Sequence, residues 1–131
     1  MNTILYTDVS GKYSLLDYSR SHSQLLLRKR EDGLNTDILF KSVRGIFIPT
    51  EMEGIAITVI SNPAELPGLN QEYGLEVDNG YRVYSIRTST GDKFLLNAGV
   101  FGVFNNRLDI LETSIGDFTW SSENQLLFWS E

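Results

Sequence analysis

His22 is the one histidine of the chain and the first residue to consider for chemistry. It follows Asp17, Ser19 and Ser21, so a carboxylate and hydroxyl groups lie close to it in sequence. A histidine that acts as a general base on a hydroxyl needs such partners. The Gly-x-Ser-x-Gly elbow of many serine hydrolases is absent, however. We therefore expect His22 to be a structural residue at the start of a strand, bonded to Asp17 or to a backbone carbonyl.

Carboxylate pairs are a second possible source of chemistry. Glu51 with Glu53, or Asp109 with Glu112, could supply the acid and the base of a glycosidase. A chain with 17 acidic residues contains such pairs by chance, and we expect Glu51 and Glu53 to lie in a solvated connection. The chain has no cysteine, no EF-hand spacing and no glycine-rich phosphate motif. The sequence therefore predicts no enzymatic activity, no metal and no cofactor.

The charge of the chain is negative and unevenly distributed. Eleven basic and 17 acidic residues give a formal net charge of -6 and a pI of about 4.7. Residues 1–60 are balanced, and the whole excess falls in residues 61–131. This charge excludes nucleic acid as an expected partner. It leaves two interpretations open, a general solubility charge or an acidic docking face for a basic protein.

If the acidic half docks a partner, its carboxylates are the candidate contacts, and the segment Pro63–Gln71 adjoins them. The predicted partner-binding residues are Glu72, Glu76, Asp78, Asp92, Asp109 and Glu112. The basic run Arg28-Lys29-Arg30, followed at once by two acids, is predicted to be the solvated end of a hairpin.

Strand-length segments separated by Gly, Asn and Asp recur along the chain, and no segment shows a sustained helical period. Turn pairs such as Asp32-Gly33 tolerate the positive φ angles of tight hairpins. The sequence predicts an all-β, mainly antiparallel single domain over residues 1–131, a sandwich or a distorted open barrel with little helix. A long loop is predicted near residues 61–71. The candidate strands are Ile4–Asp8, Lys12–Tyr18, Ser23–Arg30, Thr36–Ser42, Arg44–Ile48, Ile55–Ile60, Tyr73–Val77, Tyr81–Thr88, Lys93–Phe104, Leu108–Ile115 and Gln125–Trp129.

Several local patterns refine this prediction. Alternation places Phe94, Leu96, Ala98 and Val100 on one face of a strand. The run Leu25-Leu26-Leu27 indicates a strand that is covered on both faces or bent. Glycine inside a long strand marks a bulge or a corner, so Gly99 and Gly102 are predicted bends.

No leader segment or long apolar run is present, so we expect a cytoplasmic protein without a membrane partner. The length is similar to that of the fatty-acid-binding barrels, but the region of their helical lid is predicted here to be strand. A small β-barrel that binds an apolar ligand is the alternative function. It would need a cavity lined by residues such as Phe94, Leu96 and Phe104.

The pattern His-x-x-Leu-x-x-Arg at His22, Leu25 and Arg28 is followed by Ile38-Leu39-Phe40 and by Gly54-Ile55-x-Ile57. Over about a third of the chain, this pattern resembles small β-rich bacterial immunity proteins of polymorphic and contact-dependent toxin systems. The resemblance implies an acidic cytoplasmic inhibitor that binds a toxin, often a basic nuclease, in a stoichiometric complex. The expected partner is therefore another protein, such as a basic toxin domain. A homodimer that pairs through exposed sheet edges is also possible.

Overall fold

A computed structural model of the chain describes residues 2–62, 64–115 and 125–130. Their strands form one open antiparallel sheet in the order β4-β7-β6-β5-β1-β2-β3-β8-β9. No helix in these ranges is long and apolar enough to cross a membrane. The elements in chain order are β1 (Thr3–Ser19), β2 (Gln24–Glu31), β3 (Leu34–Lys41), β4 (Gly45–Phe47), β5 (Glu51–Ile60), α1 (Leu66–Tyr73), β6 (Arg82–Arg87), β7 (Lys93–Ala98), β8 (Val100–Asn106) and β9 (Gln125–Trp129).

Two long bent segments curl the sheet. Strand β1 pairs with β5 from Thr3 to Ser14 and with β2 from Ser14 to Ser19, with register shifts along the strand. Strands β7 and β8 are separated only by Gly99, whose N–H donates to the carbonyl of Lys41 at 2.9 Å. Leu96 and Ala98 face the main core before this corner and Phe101 faces it afterwards, so the corner shifts the alternation by one residue. The chain thereby crosses from one half of the sheet to the other.

The concave face of the curled sheet holds the main core. Side chains from strands β1, β2, β3, β5, β6, β7 and β8 meet there. At its centre, the ring of Phe40 lies 5.7 Å from that of Tyr84 and 5.1 Å from that of Phe101. Tyr84 also donates from its hydroxyl to the carbonyl of Gly99 at 2.9 Å, which ties the core to the corner. These contacts between distant strands fix the curvature of the sheet.

The convex face carries two smaller clusters, each under its own cover. Helix α1 covers Ile60, Val83 and Leu95 with Leu66 and Leu69. The second cluster is formed by Leu26, Leu39 and Phe104, together with side chains that include Ile115 and Trp129. The run Leu25-Leu26-Leu27 is therefore covered on both faces, as predicted.

Buried Asn97 fastens the chain that follows α1 to the sheet. Its amide nitrogen donates to the carbonyls of Glu76 at 2.8 Å and Arg82 at 2.9 Å, and its amide oxygen accepts from the N–H of Glu76 at 2.8 Å. Each polar atom of the buried amide is thus satisfied, as burial requires.

The predicted all-β antiparallel class with little helix is confirmed. Of the predicted architectures, a sandwich or a distorted open barrel, the structure has a single open sheet that does not close into a barrel. Two predicted strands are wrong: Tyr73–Val77 is the end of α1 and the chain after it, and Leu108–Ile115 is a loop. The predicted loop at 61–71 contains most of α1, which has Pro67 in its first turn and ends at Gly74 with a φ of 67°. An eight-residue helix is too short for its apolar spacing to be distinctive.

The two predicted glycine bends differ. Gly99 is the corner, and it places Val100 on the convex cluster rather than beside Ala98. Gly102 pairs regularly with Leu39, so it is not a corner. A Cβ at Gly102 would lie 2.9 Å from the ring of Phe104 and 3.0 Å from that of Trp129. Glycine is required there because two aromatic rings pack against the strand.

A charged cluster lies at one end of the concave face. Lys29 Nζ lies 2.6 Å from Asp8 Oδ2, and the Tyr13 hydroxyl donates to the same oxygen at 3.0 Å. Burial works against ionisation of Asp8, but the hydrogen bonds from Lys29 and Tyr13 and the charge of Lys29 outweigh it and lower the pKa of the carboxyl. Burial likewise opposes the charge on Lys29, while Asp8 and then Glu31 raise its pKa. Burial first, then Tyr6 and Asp8, raises the pKa of Tyr13 well above its usual range.

We expect Asp8→Asn to lower the free energy of unfolding at pH 7 by about 1 kcal/mol, the size of a partly solvated charged hydrogen bond. The folded-state pKa of Asp8 is lowered. Its stabilisation is therefore complete above the unfolded pKa of about 3.9 and is lost as the pH falls through the folded value. The folded-state pKa of Lys29 is raised, so its stabilisation is complete below the unfolded pKa and is lost only as the pH rises through strongly alkaline values. Urea unfolding at pH 7, 4 and 2.5 measures this, with exposed Glu53→Gln as the control. An equal difference at every pH would contradict it.

Candidate functional site

Arg28 and Asp37 form a buried ion pair on the convex face. They are directly opposed in the β2–β3 hairpin, and their side chains are 3% and 0% exposed. Arg28 Nε donates to Asp37 Oδ1 at 2.6 Å, and a terminal nitrogen donates to Oδ2 at 2.8 Å. This two-pronged geometry is the strongest that guanidinium and carboxylate form. The prediction of a solvated basic run is therefore wrong at Arg28.

The remaining hydrogen-bonding groups of the pair contact the last residue of β8 and the chain that follows it. The two N–H bonds of the other terminal nitrogen of Arg28 are shared among three carbonyls, those of Asp109 at 3.1 Å, Ile110 at 3.0 Å and Glu112 at 2.8 Å. Asp37 Oδ2 accepts from Ser114 Oγ at 2.7 Å. The same oxygen accepts from the side chain of Asn106 at 2.8 Å. A buried charge is tolerated only with such full pairing, so the pair requires this segment to stay in place.

We name residues 107–115 the anchored loop. Further bonds fix its start, where the carbonyl of Leu108 accepts from Asn35 at 2.9 Å and from Arg30 at 2.8 Å. The loop also closes on itself, because the N–H of Glu112 donates to the carbonyl of Asp109 at 2.9 Å. The carboxylate of Glu112 accepts in turn from the N–H of Asp109 at 3.3 Å. The backbone of the anchored loop is thus held at its start, middle and end.

The anchored loop presents apolar and acidic side chains to solvent. Ile110 is 57% exposed and Leu111 is 80% exposed. The carboxylates of Asp109 and Glu112 stand on either side of them and are also exposed. Fixed apolar side chains flanked by carboxylates can enter a pocket on another protein that has a basic rim.

The six predicted contact acids lie in three places. Asp109 and Glu112 are on the anchored loop, and Asp92 is in the turn before β7. Glu76 and Asp78 follow α1, and the N–H of Asp78 donates to the Glu76 carboxylate at 3.2 Å. Asp92 precedes the start of the bent segment of β7 and β8, Glu76 is bonded to its middle at Asn97, and the acids of the anchored loop follow its end. The side chain of Glu72, and Pro63 in the adjoining segment, lie outside the described residues.

The other candidates for chemistry occupy exposed positions. His22 Nδ1 lies 3.0 Å from Ser19 Oγ and 3.3 Å from Ser21 Oγ in the turn between β1 and β2. Its ring therefore bonds serine hydroxyls rather than the expected Asp17 or backbone carbonyl. Glu51 and Glu53 belong to β5 rather than to a connection. Together with Lys12, Tyr13, Ser14 and Met52 they line a surface groove of about 410 Å³. No group of His, Cys, Asp or Glu in the described chain is arranged to hold a metal ion.

The ligand-carrier alternative loses its predicted lining. Leu96 belongs to the main core on the concave face, whereas Phe104 belongs to a cluster on the convex face. These two side chains cannot line one cavity. The main core around Leu96 is filled by the packed rings of Phe40, Tyr84 and Phe101.

Sequence reasoning missed Arg28 and Asp37, although one signal pointed to them. Asp32 and Gly33 both have positive φ, at 52° and 75°, as a tight two-residue hairpin turn requires. Such a turn makes Glu31 and Leu34 partners and therefore also opposes Arg28 and Asp37. The pairing could be read from the sequence, but the capture of three distant loop carbonyls could not.

We expect Arg28→Met to lower the free energy of unfolding by about 3 to 5 kcal/mol, because it leaves Asp37 charged, buried and unpaired. The double variant with Asp37→Leu should recover part of this loss. It should not recover all of it, since three loop carbonyls still lack their donor. Urea unfolding measures both, with exposed Lys12→Met as the control. A change below about 1 kcal/mol in Arg28→Met would contradict the assignment.

Comparisons of the chain with protein-family models, with curated proteins and with solved structures found no match.

Proposed function

We propose that the chain is a non-catalytic protein-binding module that docks a basic protein through the anchored loop. Within this class, we propose an acidic cytoplasmic inhibitor of the immunity-protein kind, which neutralises a bacterial toxin by stoichiometric binding. The observation that carries the proposal is that a backbone held by hydrogen bonds from buried Arg28 carries exposed Ile110 and Leu111 on the same loop.

Rigidity supports a binding role because ordering a loop costs free energy when a partner binds. In this chain the buried ion pair already holds the carbonyls of residues 109, 110 and 112 before any partner arrives. Two large apolar side chains are then exposed at adjacent positions on the fixed segment. Apolar residues on a preorganised segment are typical anchors of protein interfaces.

Charge supports a basic partner. Asp109 and Glu112 flank the apolar pair, and the chain as a whole carries a net charge of -6. Complementary fields raise the association rate of such partners and disfavour acidic proteins. A basic toxin domain fits this chemistry, as the resemblance to immunity proteins also suggests.

The proposal is tested by site-directed cross-linking, which the absence of cysteine makes selective. A photoreactive label is attached to Thr113→Cys on the anchored loop and, as the matched control, to Val9→Cys on the exposed part of β1. Each protein is irradiated in a lysate of the source cells. We expect a basic protein to be joined to residue 113 and not to residue 9.

Competition identifies the contact. Unlabelled wild-type chain should suppress the cross-link, and so should Leu127→Ser, which alters an exposed leucine on β9. The double variant Ile110→Ser and Leu111→Ser should fail to compete. If this variant competes as well as wild type, the anchored loop is not the docking site. For an inhibitor, one equivalent of chain should also abolish the activity of the captured protein.

We expect Asp109→Asn and Glu112→Gln to slow association with that partner several-fold at low salt and to flatten the salt dependence of the rate, with little change in dissociation. Gln at 112 keeps the oxygen that accepts from the N–H of Asp109. Stopped-flow or surface-binding kinetics at several ionic strengths measures this. Glu53→Gln, at an exposed carboxylate of β5 that is not among the predicted contacts, is the control. An equal loss at low and high salt would argue against electrostatic steering.

A further inference from the structure

A second exposed apolar surface lies at the opposite edge of the described sheet. Strand β4 pairs with β7 on one side and is the last strand in the sheet order. Phe47 of β4 is 42% exposed and Tyr73 of α1 is 41% exposed, and their rings meet edge to face at 5.4 Å. A groove of about 290 Å³ opens there, lined by Phe47, Leu69, Tyr73, Lys93, Phe94 and Leu95.

The one charged residue that lines this groove is basic, although the protein is acidic. A second exposed cation, Arg87, lies beside it without lining the groove and donates to the carbonyl of Gly91 at 3.0 Å. Lys93 lines it, and the sheet register places Arg87 directly opposite Lys93 in the β6–β7 pair. Like charges at directly opposed positions of an antiparallel pair repel each other. Neither cation belongs to an ion pair within the described part of the chain. An anionic group from outside would relieve this repulsion.

We propose that the β4 edge and this groove bind an extended acidic and apolar peptide segment of a partner protein. The edge of β4 offers backbone groups for one more strand, which is how extended peptides are recognised at sheet edges. An apolar side chain of the peptide enters the groove beside Phe47 and Tyr73. A carboxylate of the peptide lies against Lys93 and Arg87. This site is independent of the anchored loop and of its proposed function.

Charge selects this occupant over two others. An antiparallel pairing of two β4 strands would bring the Arg44 end of one copy towards Lys93 of the other and place cations together. A nucleic acid would meet a chain with a net charge of -6, with two cations, Lys93 and Arg87, beside the groove to bind its phosphates. A short peptide places one carboxylate beside the two cations, and unlike a nucleic acid it brings no further negative charge near the acidic remainder of the surface.

The test is a selection from a displayed library of random nonapeptides on the immobilised wild-type chain, with counter-selection on Phe47→Ser. Synthetic copies of the enriched peptides are then measured by fluorescence anisotropy. We expect the enriched peptides to share an acidic residue and an apolar residue. Binding should weaken by at least about tenfold on Lys93→Glu, and a lysine in place of the peptide's acid should restore it on that variant. Of two peptides with proline at either of two adjacent central positions, one should lose binding, because only one of the two N–H groups faces β4.

Leu127→Ser, at the exposed leucine of the other edge strand, is the matched control and should bind these peptides as wild type does. Circular dichroism tests whether each variant is folded. If Phe47→Ser does not fold, Lys93→Glu replaces it in the counter-selection, because it changes only an exposed side chain. Failure to enrich any peptide, or peptides that bind both variants like wild type, would overturn the proposal. So would a dimer of the wild-type chain that Phe47→Ser dissociates, or displacement of the peptides by single-stranded oligonucleotides.

Discussion

The ion pair between Arg28 and Asp37 is the constraint on which the best-defined surface of this protein depends. Two full charges lie on the convex face with almost no solvent contact. Ions in such a place must be completely hydrogen-bonded, and the β2–β3 hairpin alone supplies only the bond between them. The missing partners come from the anchored loop and from Asn106, the last residue of β8. If the loop left the sheet, Arg28 would lose three carbonyl partners and Asp37 would lose the hydroxyl of Ser114. These bonds to the buried pair therefore hold the loop in place.

The curvature of the sheet explains why such a cover is needed. Bending at Gly99 and along β1 gathers the large aromatic side chains on the concave face, where they fill one core. The convex face is left with two separate areas that must be shielded from water. Helix α1 shields one of them mainly through apolar contacts, with buried Asn97 fastening the chain that follows. The anchored loop packs Ile115 on the other and is held there by polar bonds to Arg28 and Asp37. Both covers consequently lie on the surface, and each lies beside exposed apolar side chains.

The sequence predicts the strands well where alternation and turn chemistry agree. The hairpin of β2 and β3 is the best example, because Asp32-Gly33 determines the turn and the turn determines the register. Prediction fails where tertiary contacts decide the outcome. Leu108–Ile115 has the apolar content of a strand, yet its carbonyls bind Arg28 instead of a neighbouring strand. The short helix α1 is stabilised by packing on the sheet. For the candidate site, sequence reasoning named Asp109 and Glu112 from charge alone and could not foresee what fixes them.

Burial of Arg28 also shapes the charge that the surface presents. A cation that pairs with Asp37 inside the protein no longer offsets Asp109 and Glu112, although these residues lie on the segment whose carbonyls it binds. The anchored loop is held by a positive charge, yet the charged residues next to Ile110 and Leu111 in the chain are both negative. The one basic residue of the loop, Arg107, is exposed at its start. At the far edge of the sheet the arrangement is reversed, since Lys93 and Arg87 stay exposed beside an apolar groove. The placement of a few cations, rather than the net charge of -6, therefore decides which chemistry each surface can bind.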